Sequence, residues 1–195
     1  MVIASHIIFT TYGFWLPNDP RGSWSDFVRS WELLKHGRAT KTTDRRSLAY
    51  DEHDRVLRLA AKDALRYPPV VFSGVQALEV VRGFSLAVRD SDYRILACSV
   101  MPDHVHMVVA RHANPAERII AHLKSRATRR LLEVGIHPFQ QQISQTQERI
   151  SCWTSRGWKV FIESDDDISG AVDYVNQNPT KAGLKSQSWS FVSRV

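Results

Sequence analysis

A chain of 195 residues, 43% hydrophobic and 24% charged, carries enough apolar material for a packed core and is too apolar to stay disordered. Lys and Arg outnumber Asp and Glu by 26 to 20, and the resulting charge of +6, with an isoelectric point near 9.6, points to a polyanionic partner. Cys98 and Cys152 are too few for a disulfide framework and form no CxxC pair, so neither redox nor zinc chemistry is suggested and two buried thiols are expected. No apolar run approaches the roughly 18 residues of a membrane span, and the first residues lack a basic leader and a cleavage site, so a cytoplasmic protein with no membrane partner is expected.

The first element is a strand over residues 3–11, apolar and β-branched, ending at Tyr12-Gly13. Turn residues follow in the run NDPRG at 18–22, and residues 23–50 show no sustained period, so this stretch is an insertion with a short helix near 31–34. Val56, Leu59, Ala60 and Ala64 recur at helical spacing up to Tyr67-Pro68-Pro69, and a second helix is expected over 74–89. Residues 93–101 and 105–110 are strands joined at Pro102-Asp103 into an antiparallel hairpin. A long helix opens with Pro115 in its first turn and stops before Gly135, its exposed face carrying Arg118, Lys124, Arg126, Arg129 and Arg130. A glutamine-rich surface segment at 140–147, a short strand at 158–162 and a last helix at 165–178, closed by Pro179 and Gly183, complete the chain. This order predicts an α+β fold: a ferredoxin-like antiparallel sheet with helices on one face and an added C-terminal helix, in a single domain over 1–195 interrupted at 23–50.

Two constellations carry chemistry. His104 and His106 lie at i and i+2 of a strand, so both imidazoles leave one face while Val105 enters the other. Such a pair presents two neutral nitrogens to a divalent ion, or makes strand-edge hydrogen bonds. On the last helix Ile168, Ala171, Val172 and Val175 define the face that packs on the sheet, with Tyr174 and Asn178 four residues apart on its flank. A boundary tyrosine with a wet hydroxyl is the plain alternative. The other histidines repeat no ligand spacing; His6 has a strand that runs toward the site, and nothing in the sequence assigns it a role.

The run SVMPDHVHMVV at 99–109 resembles the strand of the single-tyrosine HUH transposases, where two histidines flank a hydrophobic residue. YVNQNPTKAGL at 174–184 resembles the nucleophile helix of their REP-associated tyrosine transposase branch, and TTYGFWLPNDPRG at 10–22 is similar to a subset of it. The resemblance implies a metal-dependent endonuclease and strand transferase that cuts single-stranded, hairpin or palindromic DNA through a covalent 5′-phosphotyrosine at Tyr174. It also implies Mg²⁺ or Mn²⁺ on His104 and His106, with Asn178 as third ligand and Gln177 as the fallback. A phenol with a pKa of about 10 is a poor nucleophile at neutral pH, so either it loses its proton as it attacks or a nearby cation stabilises the phenolate.

For substrate contacts the candidates are Arg118, Lys124, Arg126, Arg129 and Arg130 on the long helix and Lys41, Arg45 and Arg46 in the insertion, while Trp15, Trp24 and Trp31 are either core aromatics or stacking platforms for bases. A chain of this kind acts as a monomer or homodimer. The rival reading is a non-catalytic or domesticated nucleic-acid-binding module that recognises repeat hairpins with the same sheet and basic helix. A barrel-type zinc hydrolase built on the HxH pair is excluded, because such barrels need about 250 residues.

Overall fold

Alternating apolar runs become the strands β1 (Ala4–Thr11), β2 (Ile95–Val100), β3 (His104–Ala110) and β4 (Trp153–Ile162), in a computed structural model that describes residues 1–14, 16, 33, 35–36 and 54–193. Two compact units divide the chain: Met1–Thr10 with Val71–Val195, and Thr11–Val70. The insertion expected at 23–50 and its helix at 31–34 lie outside the described residues apart from Leu33, Lys35 and His36; Trp15, Trp24, Trp31, Lys41, Arg45 and Arg46 are all outside them.

In the second unit, α1 (Arg55–Asp63) starts at Asp54, whose carboxylate accepts from Leu57 N at 2.9 Å. The helix ends before the Tyr67-Pro68-Pro69 stop, because two prolines cannot donate to the carbonyls of Ala64 and Leu65 and so release the last turn. The chain then returns beside Tyr12, with Val70 N bonded to Tyr12 O at 2.9 Å.

In the larger unit the strand order is β2-β3-β1-β4. β3 is antiparallel to both β1 and β2, and β4 runs against β1, since Ile3 N meets Ile162 O while Thr10 meets Thr154. With α2 (Gly74–Ser91) between β1 and β2 and α3 (Ala116–Glu133) between β3 and β4, this is the ferredoxin-like arrangement. The strand alternation builds one core on each face. Ile7, Phe9, Val105, Met107 and Val109 are buried on the α2/α3 face, where the rings of Phe9 and Phe84 meet at 5.9 Å. Ala4, Ala97 and Val108 face α5 (Asp165–Lys181), whose Val175 is fully buried with Ile168, Ala171 and Val172 packed around it. The hydrophobic stripe expected on the last helix is the one that docks.

The two helices of the first face cross where Gly83 meets Ala127: a Cβ at Gly83 would stand 2.6 Å from the Ala127 Cα. Glu79 bonds Arg130 at 2.6 Å on one side of the crossing, and Arg126 pairs with Asp90 on the other. Ser73 and Gln76 form a capping box at the start of α2.

Three expectations are corrected. The last helix is not closed by Pro179, which is buried inside it; the helix continues to Lys181 and ends at Gly183 (φ 73°), where Leu184 N bonds Pro179 O at 2.8 Å and Gly183 N bonds Thr180 O at 3.0 Å. A proline removes only its own donor, and Val175 O is the carbonyl that goes without it. The glutamine-rich segment lies at the surface as expected, in a short helix, α4 (Gln140–Thr146). The last strand begins at Trp153, earlier than its apolar alternation suggests, because β4 is an edge strand whose middle is exposed. Gly157 within it lies so close to β1 and α3 that a Cβ would stand 2.8 Å from Ile8 O and from Ile120 Cδ1. Pro115 takes the cap position of α3, one residue outside its first turn. Among the described residues no helix is long and apolar enough to cross a membrane.

Candidate active site

β3 delivers the histidine pair as its alternation requires: Val105 is fully buried toward α2 and α3, while the rings of His104 and His106 share the other face with centroids 4.9 Å apart. Each ring has a partner on Nδ1. Asp103, the preceding residue, places Oδ1 2.7 Å from His104 Nδ1. His6 comes from β1, where the register sets Ile8 opposite His106 and Thr10 opposite His104, and its Nε2 lies 3.0 Å from His106 Nδ1. Burial holds the His106 imidazole down to about 2, helped by the neighbouring His104 and His6, and burial alone holds His6 down to about 4. Both rings are therefore neutral at physiological pH, the state in which an imidazole can ligate.

From the other side α5 brings Tyr174, with 46% of its surface exposed. Its ring meets His106 edge to face at 5.5 Å and His6 at 5.8 Å, and Lys181 Nζ lies 5.9 Å from its centroid. Because the helix runs through Pro179, Asn178 stays on the ridge of Tyr174 one turn on. Its Nδ2 is buried without a hydrogen-bond partner, whereas Gln177 is exposed. Carboxamide N and O are exchangeable by a flip, so this orphaned end is equally an oxygen awaiting a partner. Among the described residues no three His, Cys, Asp or Glu side chains group to hold a metal. Two imidazoles and a carboxamide oxygen are donor types that suit a divalent cation.

The structure thus gathers His104, His106 and Tyr174, and adds His6 and Lys181, which sequence reasoning did not assign. The signal for His6 was its parity on β1, legible only once the register with β3 is known. The basic face of α3 is corrected. Lys124 is 8% exposed, its Nζ donating to Thr154 O at 2.9 Å and Arg156 O at 2.8 Å. Arg126 is paired with Asp90, and Arg130 with Glu79 and Glu133. Arg118 and Arg129 are the exposed members. Lys124 and Arg129 instead line a groove of about 430 Å³ between α3 and the start of β4, on the α2/α3 side of the sheet.

On this ferredoxin-like sheet the histidine pair thus faces a helix-borne tyrosine. Residues 67–178, more than half of the chain, match the family described as IS200-like transposases, and the chain belongs to that family. A Haemophilus influenzae protein described as a REP-associated tyrosine transposase is 29% identical over 105 residues, 52% of this chain and 58% of that protein. The chain thus spans under two thirds of the length of that relative. Among solved structures, a REP-associated tyrosine transposase bound to a REP hairpin gives a TM-score of 0.48 at 14% identity, over 94% of this chain and 70% of the other. A Deinococcus radiodurans protein described as a transposase gives 0.41 at 12%, over 90% and 89%.

Proposed function

We propose that this chain is a tyrosine endonuclease and strand transferase acting on single-stranded DNA that folds into hairpins or palindromes, with Tyr174 as nucleophile. The observation that carries the reading is the contact of the half-exposed Tyr174 ring with the buried His106. Membership of a transposase family supports the reaction class, and the name of the Haemophilus influenzae relative, a REP-associated tyrosine transposase, is consistent with repeat DNA as substrate.

Tyr174 Oη attacks the scissile phosphorus; the phosphorus–O3′ bond breaks, the phenol loses its proton and the leaving 3′-oxygen gains one. The products are a 5′-phosphotyrosine and a free 3′-hydroxyl. In transfer, an incoming 3′-hydroxyl attacks that phosphorus and Tyr174 recovers its phenol. Mg²⁺ or Mn²⁺ would be held by His104, His106 and Asn178, with Gln177 as the fallback, and would supply Lewis acidity to the scissile phosphate. Lys181 puts a positive charge beside the ring that becomes phenolate. Arg118 and Arg129, exposed on α3, and Lys41, Arg45 and Arg46 contact phosphates; Lys124, held by two carbonyls, is withdrawn from that role.

The test is incubation with hairpin oligonucleotides labelled at either end. A protein–DNA adduct on a denaturing gel carries the 3′ label and never the 5′ label. An adduct with the 5′ label, or none with any hairpin or single strand in Mg²⁺ or Mn²⁺, overturns the proposal.

A further inference from the structure

His6 stands where a strand-face residue is ordinarily apolar: its neighbours on that face of β1 are Ala4 and Ile8, and Ala4 is fully buried. A polar ring there needs a partner, and the one present is His106 Nδ1 at 3.0 Å. Two ring nitrogens at that distance share a single proton, so one ring donates and the other accepts. If His6 donates, the proton of neutral His106 sits on Nε2 and that ring has no lone pair for a cation. If His6 accepts, the proton sits on His106 Nδ1 and Nε2 carries the lone pair. The neighbouring ring is already set in the second manner, because a carboxylate only accepts and Asp103 therefore draws the proton of His104 to Nδ1.

We infer that His6 is a positioning residue whose Nε2 accepts a hydrogen bond from His106 Nδ1–H, fixing His106 in the tautomer that directs the Nε2 lone pair at a divalent cation. Asp103 and His6 then perform one task for the two rings, a carboxylate acting on the partly exposed His104 and an imidazole on the buried His106. A neutral acceptor suits the buried ring, since a second carboxylate at that depth needs a charged partner of its own. The inference rests on the proposed cation site; the tautomer is measurable without it.

Two substitutions separate positioning from packing. His6→Phe keeps a ring against Tyr174 and removes the acceptor, whereas His6→Gln keeps an acceptor oxygen and removes the ring. Titration of DNA-free protein with Mn²⁺, read by electron paramagnetic resonance, should show about 10- to 100-fold weaker binding for His6→Phe, with His6→Gln recovering most of the loss. Nitrogen-15 spectra of metal-free protein should show His106 protonated on Nδ1 in the wild type and redistributed between tautomers in His6→Phe. Wild-type Mn²⁺ affinity in His6→Phe, or a His106 protonated on Nε2 in the wild type, overturns the inference and leaves the cation site standing. Wild-type protein that binds no Mn²⁺ overturns the cation site, and the nitrogen-15 tautomer then decides the role of His6 alone.

Discussion

Tyr174 and His106 meet edge to face, ring centroids 5.5 Å apart at 77°, one ring half in solvent and the other buried. A tyrosine so placed keeps its ring anchored while about half of its surface stays in solvent, as the proposed nucleophile requires. Tyr174→Phe should therefore change stability by no more than about 0.5 kcal/mol and abolish the covalent adduct. A thermal melt and a denaturing gel check the two halves separately. Survival of the adduct assigns the nucleophile to another residue.

The histidine pair should respond unequally in stability and equally in function. His104→Ala removes a partly exposed ring, whereas His106→Ala empties a buried site and strips His6 of its partner, at a cost of about 1–3 kcal/mol. Cleavage of a hairpin substrate should fall below detection in both, and in wild-type protein treated with a chelator. Full cleavage after chelation would sink the cation.

Lys124 tests the corrected reading of α3. Lys124→Met should leave hairpin affinity unchanged, while Arg118→Ala and Arg129→Ala should each weaken it and flatten its salt dependence. Burial pushes the Lys124 amine down to about 8, the Cys152 thiol opposing weakly. Between about pH 8 and pH 10 the unfolded chain then binds more protons than the folded one. Wild-type stability should rise relative to Lys124→Met across that window, by roughly 3 kcal/mol at most. Denaturant titrations at pH 7.5 and 10 read the difference, and a wild-type stability that falls relative to the variant as pH rises contradicts the assignment.

Glu79 governs the acid side. Burial alone raises its carboxyl, but the bond and charge of Arg130, with Arg82, outweigh that and hold it below the usual value. Its stabilisation is thus present above the ordinary carboxylate range and is lost as pH falls through the lowered value. Glu79→Gln should melt lower than wild type at pH 7, with the two curves converging below about pH 4. Parallel curves down to pH 3 would show that the Arg130 pair contributes nothing.

What the chain order made legible is specific. The strand at 104–110, its histidine pair on one face and Val105 on the other, and the docking stripe Ile168, Ala171, Val172 and Val175 all follow from side-chain periods of 2 and 3.6 residues. β4 and the end of α5 were misjudged for a shared reason. Polar residues continue a ladder when a neighbouring strand supplies the bonds, and a proline continues a helix when only one carbonyl is left over, so neither boundary is written in local composition.

The sequence by itself determined the alternation, the residue types and the motif spacing, because these are local properties of the chain. Tertiary structure alone decided that His6 shares a proton with His106, that the Lys124 ammonium turns inward to two carbonyls of β4, and that Gln187 seals the edge of β2 by bonding both Val100 N and Val100 O at 2.8 Å. Each of these joins residues distant in the chain whose partner is chosen by strand register and helix docking, and a one-residue slip in either would send the same side chains to different neighbours.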